Sequence, residues 1–357
     1  MSILHVGLDE RSYPITIEPG CLQSVASVLA AGCSASRYGI ISDDTVAGLY
    51  GRDLLESLER AGLSCDLLVF DHGEQHKHLG TVGALISQAA RNGFDRKSMF
   101  IALGGGVVGD VAGFVAATYM RGVPFIQIPT SLLAQVDSSV GGKTGVDIPE
   151  GKNLVGAFYQ PKAVYIDPDV LATLPKKEYI NGMAEVIKHG IIRDEPYYRM
   201  LGERFEQIMA LDPGVLKDVI EGSCRIKAAV VSADEQEYDL RRILNFGHTI
   251  GHAVEAASGF RIAHGFAVAI GMTAATRIGL GKGTAGEEML KDIMSMLKQY
   301  ELPTEIPPDL DRALIKSYLL TDKKRVGSRT SYILPRRIGD VFITEEVSEA
   351  EIDAVIG

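Results

Sequence analysis

Two groups of residues in this sequence combine types that support chemistry. Glu185, His248 and His264 offer one carboxylate and two imidazoles, which are common ligands of a catalytic zinc ion. The run 104–110, Gly-Gly-Gly-Val-Val-Gly-Asp, is a glycine turn, and such a turn at the start of a helix commonly binds a diphosphate. A metal that polarises an oxygen and a nucleotide that accepts a hydride would together suit redox chemistry on an alcohol.

The glycine run satisfies the pattern Gly-x-Gly-x-x-Gly at Gly104, Gly106 and Gly109. It follows a predicted strand and precedes a predicted helix, Val107 to Met120, whose positive end would face the diphosphate. The motif follows a late strand, and no acidic residue stands about 20 positions later to hold a ribose. The segment 71–77, Asp-His-Gly-Glu-Gln-His-Lys, could supply that contact instead. A purely structural glycine turn is the alternative.

The histidines leave more than one ligand set open. His248 and His252 are one helical turn apart, so spacing alone makes both of them metal ligands. The glutamate of the zinc-protease motif His-Glu-x-x-His is missing, which excludes that chemistry. Glu185 has Lys188 three residues later, so a plain helix salt bridge also explains it. His264 precedes an apolar helix, where a lone histidine can be structural.

Cationic residues gather near glycine-rich turns at 137–143 and 151–153. Arg121, Lys227 and Arg241 stand in apolar contexts, where a charge is costly unless it is paired. In a chain of net charge -10, these groups predict a local pocket for phosphate and carboxylate. Scattered, solvated charges are the alternative.

Hydrophobic periodicity predicts an α/β first half and a helical second half. The predicted strands of the first half are Tyr38–Ser42, Cys65–Phe70, Met99–Leu103, Phe125–Ile128 and Ala163–Ile166, and the predicted helices between them include Val46–Ala61 and Thr81–Asn92. The predicted helices of the second half are Tyr179–Ile192, Val215–Ser232, Ile250–Ala257, Ala267–Leu280 and Glu287–Tyr300, with a short β tail at Ser331–Pro335 and Val341–Thr344. We therefore expect a Rossmann-like parallel-sheet domain at 1–170, which binds NAD, and an all-α metal- and substrate-binding domain at 171–357.

The composition restricts the class of protein. The 357 residues are 46% hydrophobic and 23% charged, an ordinary globular profile, and the net charge of -10 argues against a nucleic-acid partner. The first 14 residues lack the pattern of an export signal, and the apolar stretch 266–275 is shorter than the roughly 20 residues that span a bilayer. The four cysteines, Cys21, Cys33, Cys65 and Cys224, show no paired spacing, which favours reduced thiols. These features predict a cytoplasmic protein without a membrane partner.

Taken as a set, the motifs resemble the 3-dehydroquinate synthase family over nearly the full length. The matching stretches are Gly104–Asp110, Thr118–Gly122, Ile128–Thr144, Gly151–Asn153, Asn181–Lys188, Leu244–His252 and Asp322–Lys324. Seven motifs in the right order make this resemblance specific.

The resemblance implies a site of three parts. Zinc or cobalt would be held by Glu185, His248 and His264, which makes His252 a substrate or proton-handling residue. The implied substrate residues are Arg121, Asp137, Lys143, Asn153, Lys188, Lys227, Arg241, Asn245 and His252, with Lys323 or Lys324. The implied NAD residues are Asp44, Glu74, Lys77, Gly105, Gly106, Val107, Asp110, Thr130, Ser131, Lys143, Lys152 and Thr173. The family usually has glutamate and leucine where this chain has Phe266 and Ala263, a difference that bears on the surroundings of His264.

The implied reaction converts 3-deoxy-D-arabino-heptulosonate 7-phosphate to 3-dehydroquinate and phosphate in the shikimate pathway. It proceeds by NAD-dependent oxidation, phosphate elimination, re-reduction and intramolecular aldol closure, and the family implies a homodimer. The alternatives are a metal-dependent NAD alcohol or polyol dehydrogenase, a cyclase for another sugar phosphate, and a non-catalytic nucleotide-binding module.

Overall fold

The structure, a computed structural model, describes residues 1–32, 35–326 and 330–357, apart from the side chains of 320–326. Cys33 and the side chains of Lys323 and Lys324 therefore lie outside the described part. The chain forms two compact units. The first comprises Met1–Leu174 and Leu216–Gln236, and the second comprises Pro175–Val215 and Glu237–Gly357.

The first unit is built on a seven-stranded sheet. Its strands are β1 (Ser2–Val6), β2 (Tyr13–Ile17), β3 (Tyr38–Asp43), β4 (Cys65–Phe70), β5 (Met99–Gly104), β6 (Phe125–Pro129) and β9 (Val164–Ile166), in the spatial order β1-β2-β9-β6-β5-β3-β4. All neighbours are parallel except β1 and β2. A separate antiparallel hairpin consists of β7 (Lys143–Ile148) and β8 (Gly151–Phe158).

Helices cover both faces of this sheet. They are α1 (Cys21–Gly32), α2 (Asp44–Val46), α3 (Arg52–Arg60), α4 (Leu79–Arg91) and α5 (Gly106–Thr118). Successive side chains of a strand point to opposite faces. Phe100 and Ala102 of β5 accordingly pack in one core with α4 and α5, while Ile101 and Leu103 pack in the other with α1 and α3. The continuous apolar run of β5 is thus explained by burial on both faces.

The second unit is helical apart from one hairpin. Its helices are α6 (Lys176–Arg193), α7 (Glu195–Glu203), α8 (Phe205–Met209), the start of α9 (Pro213–Ala233), α10 (His248–Ala257), α11 (His264–Gly281), α12 (Glu287–Gln299), α13 (Arg312–Val326) and α14 (Glu349–Ile356). The predicted β tail is the antiparallel hairpin of β10 (Tyr332–Arg337) and β11 (Asp340–Thr344). The α/β architecture with a helical C-terminal half is the predicted one.

Helix α9 departs from the predicted division at residue 170, because from Leu216 onward it groups with the first unit. The hydroxyl of Ser232 accepts a hydrogen bond from the backbone N–H of Gly7 at 2.8 Å, and just beyond the helix Glu235 pairs with Arg11 at 2.6 Å. Periodicity identifies a helix and its buried face, but it does not identify which core that face covers. The sequence reading also missed β1, β2 and the hairpin of β7 and β8.

Helices α6, α10 and α11 approach one another at glycines. A Cβ atom built on Gly271 would lie 1.8 Å from the carbonyl oxygen of Gly247, and one on Gly265 would lie 2.0 Å from that of Asn181. Gly247, which precedes α10, also adopts a left-handed φ of 81°. The backbones therefore pack directly against each other, and this fixes the positions of the first residues of α10 and α11.

Helix α11 is buried along nearly its whole length, as its apolar sequence predicts. In the part of the chain that the structure describes, no helix is both long enough and apolar enough to cross a membrane.

We expect Gly271→Ala to lower the free energy of unfolding by about 1–3 kcal/mol or more, because its methyl group meets the Gly247 carbonyl and the helices must separate. The matched control is Gly281→Ala at the end of the same helix, where an added Cβ meets no atom within 4 Å. That change should be neutral or stabilising by about 0.5–1 kcal/mol. Urea unfolding of both variants measures the difference, and equal stability would contradict the backbone contact.

Candidate active site

The predicted cofactor residues of the first unit cluster after the carboxyl ends of parallel strands. They are Asp44 after β3, Glu74 and Lys77 after β4, Gly105, Gly106, Val107 and Asp110 after β5, Thr130 and Ser131 after β6, and Thr173 after β9. The strand order reverses direction between β3 and β5, since β4 follows β3 on one side and β5 lies on the other. Ligands of open parallel sheets bind at this switch point, so residues distant in sequence lie where one cofactor site is expected.

The glycine turn joins β5 to α5. Gly105 caps the helix in an extended conformation and α5 begins at Gly106, so the first amide N–H groups of α5 have no acceptor within the helix. The backbone N–H of Thr130 donates to the carbonyl of Gly104 at 3.0 Å, which ties the turn to the end of β6. A Cβ on Gly104 would lie 2.4 Å from the side chain of Val108, so only glycine fits there. The turn thus presents free backbone donors suited to a phosphate.

Lys77 connects this turn to the hairpin of β7 and β8. Its ammonium lies 2.6 Å from the carboxylate of Asp110 on α5 and donates to the amide oxygen of Asn153 at 2.5 Å. Burial lowers the pKa of Lys77, but the nearby carboxylates of Asp110 and Glu74 outweigh it and raise the pKa above its usual value. Lys152 lies 3.5 Å from Glu74 in the same group. A buried, charged lysine therefore holds a predicted cofactor residue and a predicted substrate residue together.

The other predicted substrate residues of the first unit include a buried ion pair and a residue with left-handed backbone. Lys227 of α9, which is only 6% exposed, donates to the carboxylate and to the carbonyl of Asp137 at 2.6 and 2.7 Å. Arg121 has a φ of 71°, between Met120 at 49° and Gly122 at 118°. Left-handed backbone at two consecutive non-glycine residues costs about 1–3 kcal/mol each and is typical of functional sites. Arg121 and Lys143 are exposed.

The centre of the second unit is the carboxylate of Glu185 on α6. Glu185 is 0% exposed, and its Oε2 contacts the ammonium of Lys188, which is 1% exposed. Its Oε1 lies 3.6 Å from Nε2 of His248, the first residue of α10, and 3.7 Å from Nε2 of His264, the first residue of α11. Three helices thus bring together the residues named as metal ligands.

These distances fit a metal ion better than hydrogen bonds. Nitrogen and oxygen atoms at 3.6 and 3.7 Å are too far apart to hydrogen-bond, although both ring nitrogens approach the same oxygen. Four ligand atoms placed tetrahedrally at about 2.0–2.1 Å from zinc lie about 3.3 Å from one another. Oε2 of Glu185 has the Lys188 ammonium beside it, whereas Oε1 accepts no hydrogen bond from any of the described residues. A buried acceptor oxygen without a partner costs free energy, and a bound cation would remove that cost.

His252 lies beside His248 and His264. Whether it is a metal ligand or a proton-handling residue therefore stays a prediction. Its ring centroid is 5.1 Å from that of His248 and 5.6 Å from that of His264. Ligand atoms of the three imidazoles lie within 4.8 Å of one another, so geometry alone also permits the ligand set that the helical spacing predicts. His252 is exposed, whereas His248 and His264 are partly buried.

The electrostatics of the cluster favour positive charge beside the Glu185 carboxylate. Burial raises the pKa of Glu185, but the charge of Lys188 and the imidazoles outweigh it and hold the pKa well below its usual range. Burial and the Lys188 charge lower the pKa of His248, so its imidazole is neutral and able to ligate. Burial lowers the pKa of His264, yet its contacts with Glu185 and Glu255 raise it to about 9.

Three neighbours of the site escaped the sequence reading. The carboxylate of Glu237 accepts a hydrogen bond from the side-chain amide of Asn245 at 2.5 Å. The side-chain oxygen of Asn181 accepts the backbone N–H of Gly265 at 2.7 Å. Glu255 lies 3.4 Å from Nδ1 of His264. Of these, Glu255 had a sequence signal, because positions 248, 252 and 255 lie on one helical face.

Arg241, a predicted substrate residue, is buried in the turn Leu240–Asn245, which also contains Asn245.

Comparisons with known proteins agree along the whole chain. The family model described as 3-dehydroquinate synthase N-terminal matches residues 67–181, and the one described as 3-dehydroquinate synthase C-terminal matches residues 182–325. A 3-dehydroquinate synthase of Symbiobacterium thermophilum is 46% identical over 343 residues, which cover 96% of each chain.

Two solved structures of related enzymes share the fold. A 2-deoxy-scyllo-inosose synthase, complexed with carbaglucose-6-phosphate, NAD+ and Co2+, has a TM-score of 0.91 and 29% identity over 99% of each chain. A 2-epi-5-epi-valiolone synthase from Streptomyces hygroscopicus, with NAD+ and Zn2+ bound, has a TM-score of 0.89 and 29% identity over 98% of this chain and 97% of that one. With both family models matched in order and a relative of 46% identity over nearly the whole length, the chain belongs to the 3-dehydroquinate synthase family.

Proposed function

We propose that this chain is a 3-dehydroquinate synthase, which converts 3-deoxy-D-arabino-heptulosonate 7-phosphate to 3-dehydroquinate and phosphate. The observation that carries the proposal is the cluster of Glu185 with His248 and His264 in a chain of this family. The reaction is an oxidation, an elimination of phosphate, a reduction and an aldol closure, so the cofactor is regenerated within each turnover.

The first unit would bind the nicotinamide cofactor. NAD+ would supply a hydride acceptor, and its reduced form would supply the hydride donor for the later reduction. The backbone donors at Gly105, Gly106 and Val107 would bind its diphosphate, and Asp44 and Thr130 stand at the ends of the strands on either side of β5. The related synthases solved with NAD+ support this assignment.

The second unit would bind a zinc or cobalt ion through Glu185, His248 and His264. Such an ion supplies Lewis acidity toward a substrate hydroxyl. Lys188 compensates part of the charge of the buried Glu185 carboxylate. It is also a candidate to contact the substrate phosphate. The related synthases solved with Co2+ and Zn2+ support this choice of metal.

Two asparagines have their amide orientation fixed by their partners. Lys77 can only donate, so it must contact the oxygen of Asn153 and leave the NH2 group of that amide to donate to a phosphate. The carboxylate of Glu237 can only accept, so it must contact the nitrogen of Asn245 and leave the amide oxygen to accept from a hydroxyl. Asn153 of the first unit is thus prepared for an anion, and Asn245 of the second unit is prepared for an alcohol.

The cationic side chains would neutralise the two anionic groups of the substrate. Arg121, Lys143, Lys188, Lys227 and Arg241 are the candidates, and Arg suits planar carboxylate or phosphate through paired hydrogen bonds. His252, exposed beside the ligand histidines, is the candidate to move a proton during elimination and ring opening. These assignments follow the family resemblance residue by residue.

The alternative functions differ from the synthase in their products or in the substrate groups that they must bind. A polyol dehydrogenase would release reduced cofactor, and a cyclase for another sugar phosphate would not need a carboxylate pocket. The identity of 46% to a 3-dehydroquinate synthase, against 29% to the two other cyclases, favours the proposed substrate. The buried lysines Lys77, Lys188 and Lys227 count against a non-catalytic module, because such charges cost stability.

We further infer a homodimer from the family resemblance, and a location in the cytoplasm from the cysteine spacing and the family's biosynthetic role. The sixth cationic site residue, Lys323 or Lys324, also rests on the resemblance, since the described side chains do not include it.

We expect the chain, given NAD+, Zn2+ and the heptulosonate phosphate, to release phosphate over many turnovers without accumulating NADH. Parallel phosphate and NADH-absorbance assays measure both quantities. NADH formed from simple polyols without phosphate release would refute the synthase and support a dehydrogenase. Turnover of a hexose or heptose phosphate that lacks the carboxylate, at an equal kcat/KM, would refute the substrate instead.

We expect Lys143→Ala to reduce phosphate release by at least about 100-fold while the zinc content stays at one ion per chain, because Lys143 would contact phosphate and not metal. His264→Ala should instead lose the ion. Metal analysis of both variants after dialysis separates the roles. Equal zinc loss in both, or a fully metallated and active His264→Ala, would contradict the assignments.

We expect Gly105→Ala to weaken NADH binding about tenfold or more, because the added methyl group would occupy the surface of the turn where the diphosphate lies. In the free protein that methyl group meets only Ser131 at 3.5 Å, so the fold should tolerate it. The control is Gly83→Ala on α4, where a Cβ meets no atom within 4 Å. The chain contains no tryptophan to serve as a reporter, so calorimetric titration is the measurement. Unchanged NADH affinity in Gly105→Ala would refute the proposal that this turn binds the diphosphate.

A further inference from the structure

Two carboxylates stand on opposite sides of the His264 ring. Its Nε2 faces Oε1 of Glu185 at 3.7 Å, and its Nδ1 lies 3.4 Å from Oε2 of Glu255 on α10. Glu255 is only 8% exposed and has no assigned part in the proposed reaction. A buried carboxylate costs free energy unless it is paired, so its position beside a ligand histidine requires an explanation.

A carboxylate on the far nitrogen of an imidazole has a definite effect on ligation. In the neutral ring it accepts a hydrogen bond from the N–H at Nδ1, which leaves the lone pair on Nε2 and directs it toward Glu185. It also fixes the ring plane and makes Nε2 a stronger donor to a metal. The contact therefore selects the one tautomer of His264 that can serve as a ligand on the side of Glu185.

The two ligand histidines differ in how their rings are held. Nδ1 of His248 lies 3.2 Å from the backbone carbonyl of Phe246, a neutral and short-range partner. The side chain of His264 is 30% exposed against 13% for His248. His264 is therefore the ring with more freedom to turn, and of the two rings it is the one whose Nδ1 faces a charged side chain.

The main chain of Glu255 supports the same arrangement. The hydroxyl of Ser258 donates to the carbonyl oxygen of Glu255 at 2.7 Å and accepts the N–H of Ile262 at 3.1 Å. These bonds shape the segment that leads from α10 to His264. Phe266, two residues further, cannot supply a carboxylate to the ring, whereas Glu255 does so from the preceding helix.

We propose that Glu255 is a positioning residue that holds His264 in its ligand orientation and sets how tightly the metal ion is retained. The inference rests on the proposed function, in which His264 is a ligand. Glu255 touches neither substrate nor cofactor in this assignment, and it acts only through the histidine.

The test is Glu255→Gln, which keeps the shape and the main-chain bonds and removes the charge. The matched control is Glu305→Gln, because Glu305 pairs with Arg277 on α11, at 2.9 Å, far along the helix that starts at His264. Co2+ alone is titrated against a competing chelator, and its visible absorption spectrum is recorded without substrate. We expect Glu255→Gln to weaken Co2+ binding about 10–100-fold and to shift the spectrum, and Glu305→Gln to change neither.

A second comparison separates positioning from damage to the fold. In a His264→Ala background, the weak Co2+ binding that remains through Glu185 and His248 is titrated directly at high metal concentration. Glu255→Gln should produce no further loss of that residual affinity, because the histidine through which it acts is gone. A wild-type spectrum and affinity in Glu255→Gln, or an equal further loss in the His264→Ala background, would overturn the inference. If the wild-type chain fails to bind Co2+ or Zn2+, the proposed metal site itself is refuted, and with it the premise of the inference.

Discussion

The interaction on which the second unit depends is the compensation of the buried Glu185 carboxylate. A carboxylate with no exposed surface carries a desolvation cost of several kcal/mol, and removing one partner of such a pair typically costs about 3–5 kcal/mol. Lys188 supplies one positive charge against one oxygen. The other oxygen faces two imidazoles at distances that leave it unsatisfied without a cation. Helices α6, α10 and α11 thus place two imidazoles beside a carboxylate oxygen whose charge is only partly compensated.

The glycine contacts between α10, α11 and α6 make this arrangement possible. A side chain at Gly265 or Gly271 would push a helix away by the width of a methyl group or more. His248 and His264 are the first residues of their helices, so a displacement of either helix moves a predicted ligand by the same amount. In a well-formed metal site the distances between metal and ligands stay within about 0.2 Å of their standard values. Packing and chemistry are therefore set by the same contacts.

Much of the first unit could be predicted from the sequence, because buried parallel strands are continuous apolar runs and their carboxyl ends carry the glycine turn and polar residues. The strands at β3, β4, β5 and β6 followed from this pattern. The hairpin of β7 and β8 could not, since its glycine-rich, half-exposed strands lack a clear alternation. Nor could the position of α9, because the periodicity of a helix does not name its partner.

In the site, spacing favoured His248 and His252 as a ligand pair, whereas the resemblance favoured His248 with Glu185 and His264. The structure brings Glu185 to both histidines of the second set and leaves His252 beside them, exposed. A pair one turn apart is visible in sequence, but a carboxylate on another helix is not, because its distance is set by tertiary packing. Glu255 was visible as part of the α10 face, yet only the structure shows that its carboxylate lies beside the His264 ring.

The direct backbone contact at Gly271 has a consequence for how this protein can change. Where two side chains meet, a substitution on one can be offset by a smaller residue on the other. Here the neighbour of Gly271 is a carbonyl oxygen of Gly247, which every amino acid carries in the same place. No second mutation at the facing position can make room. The crossing of α10 and α11 therefore offers no route for compensatory change, and variation must be absorbed elsewhere in the unit.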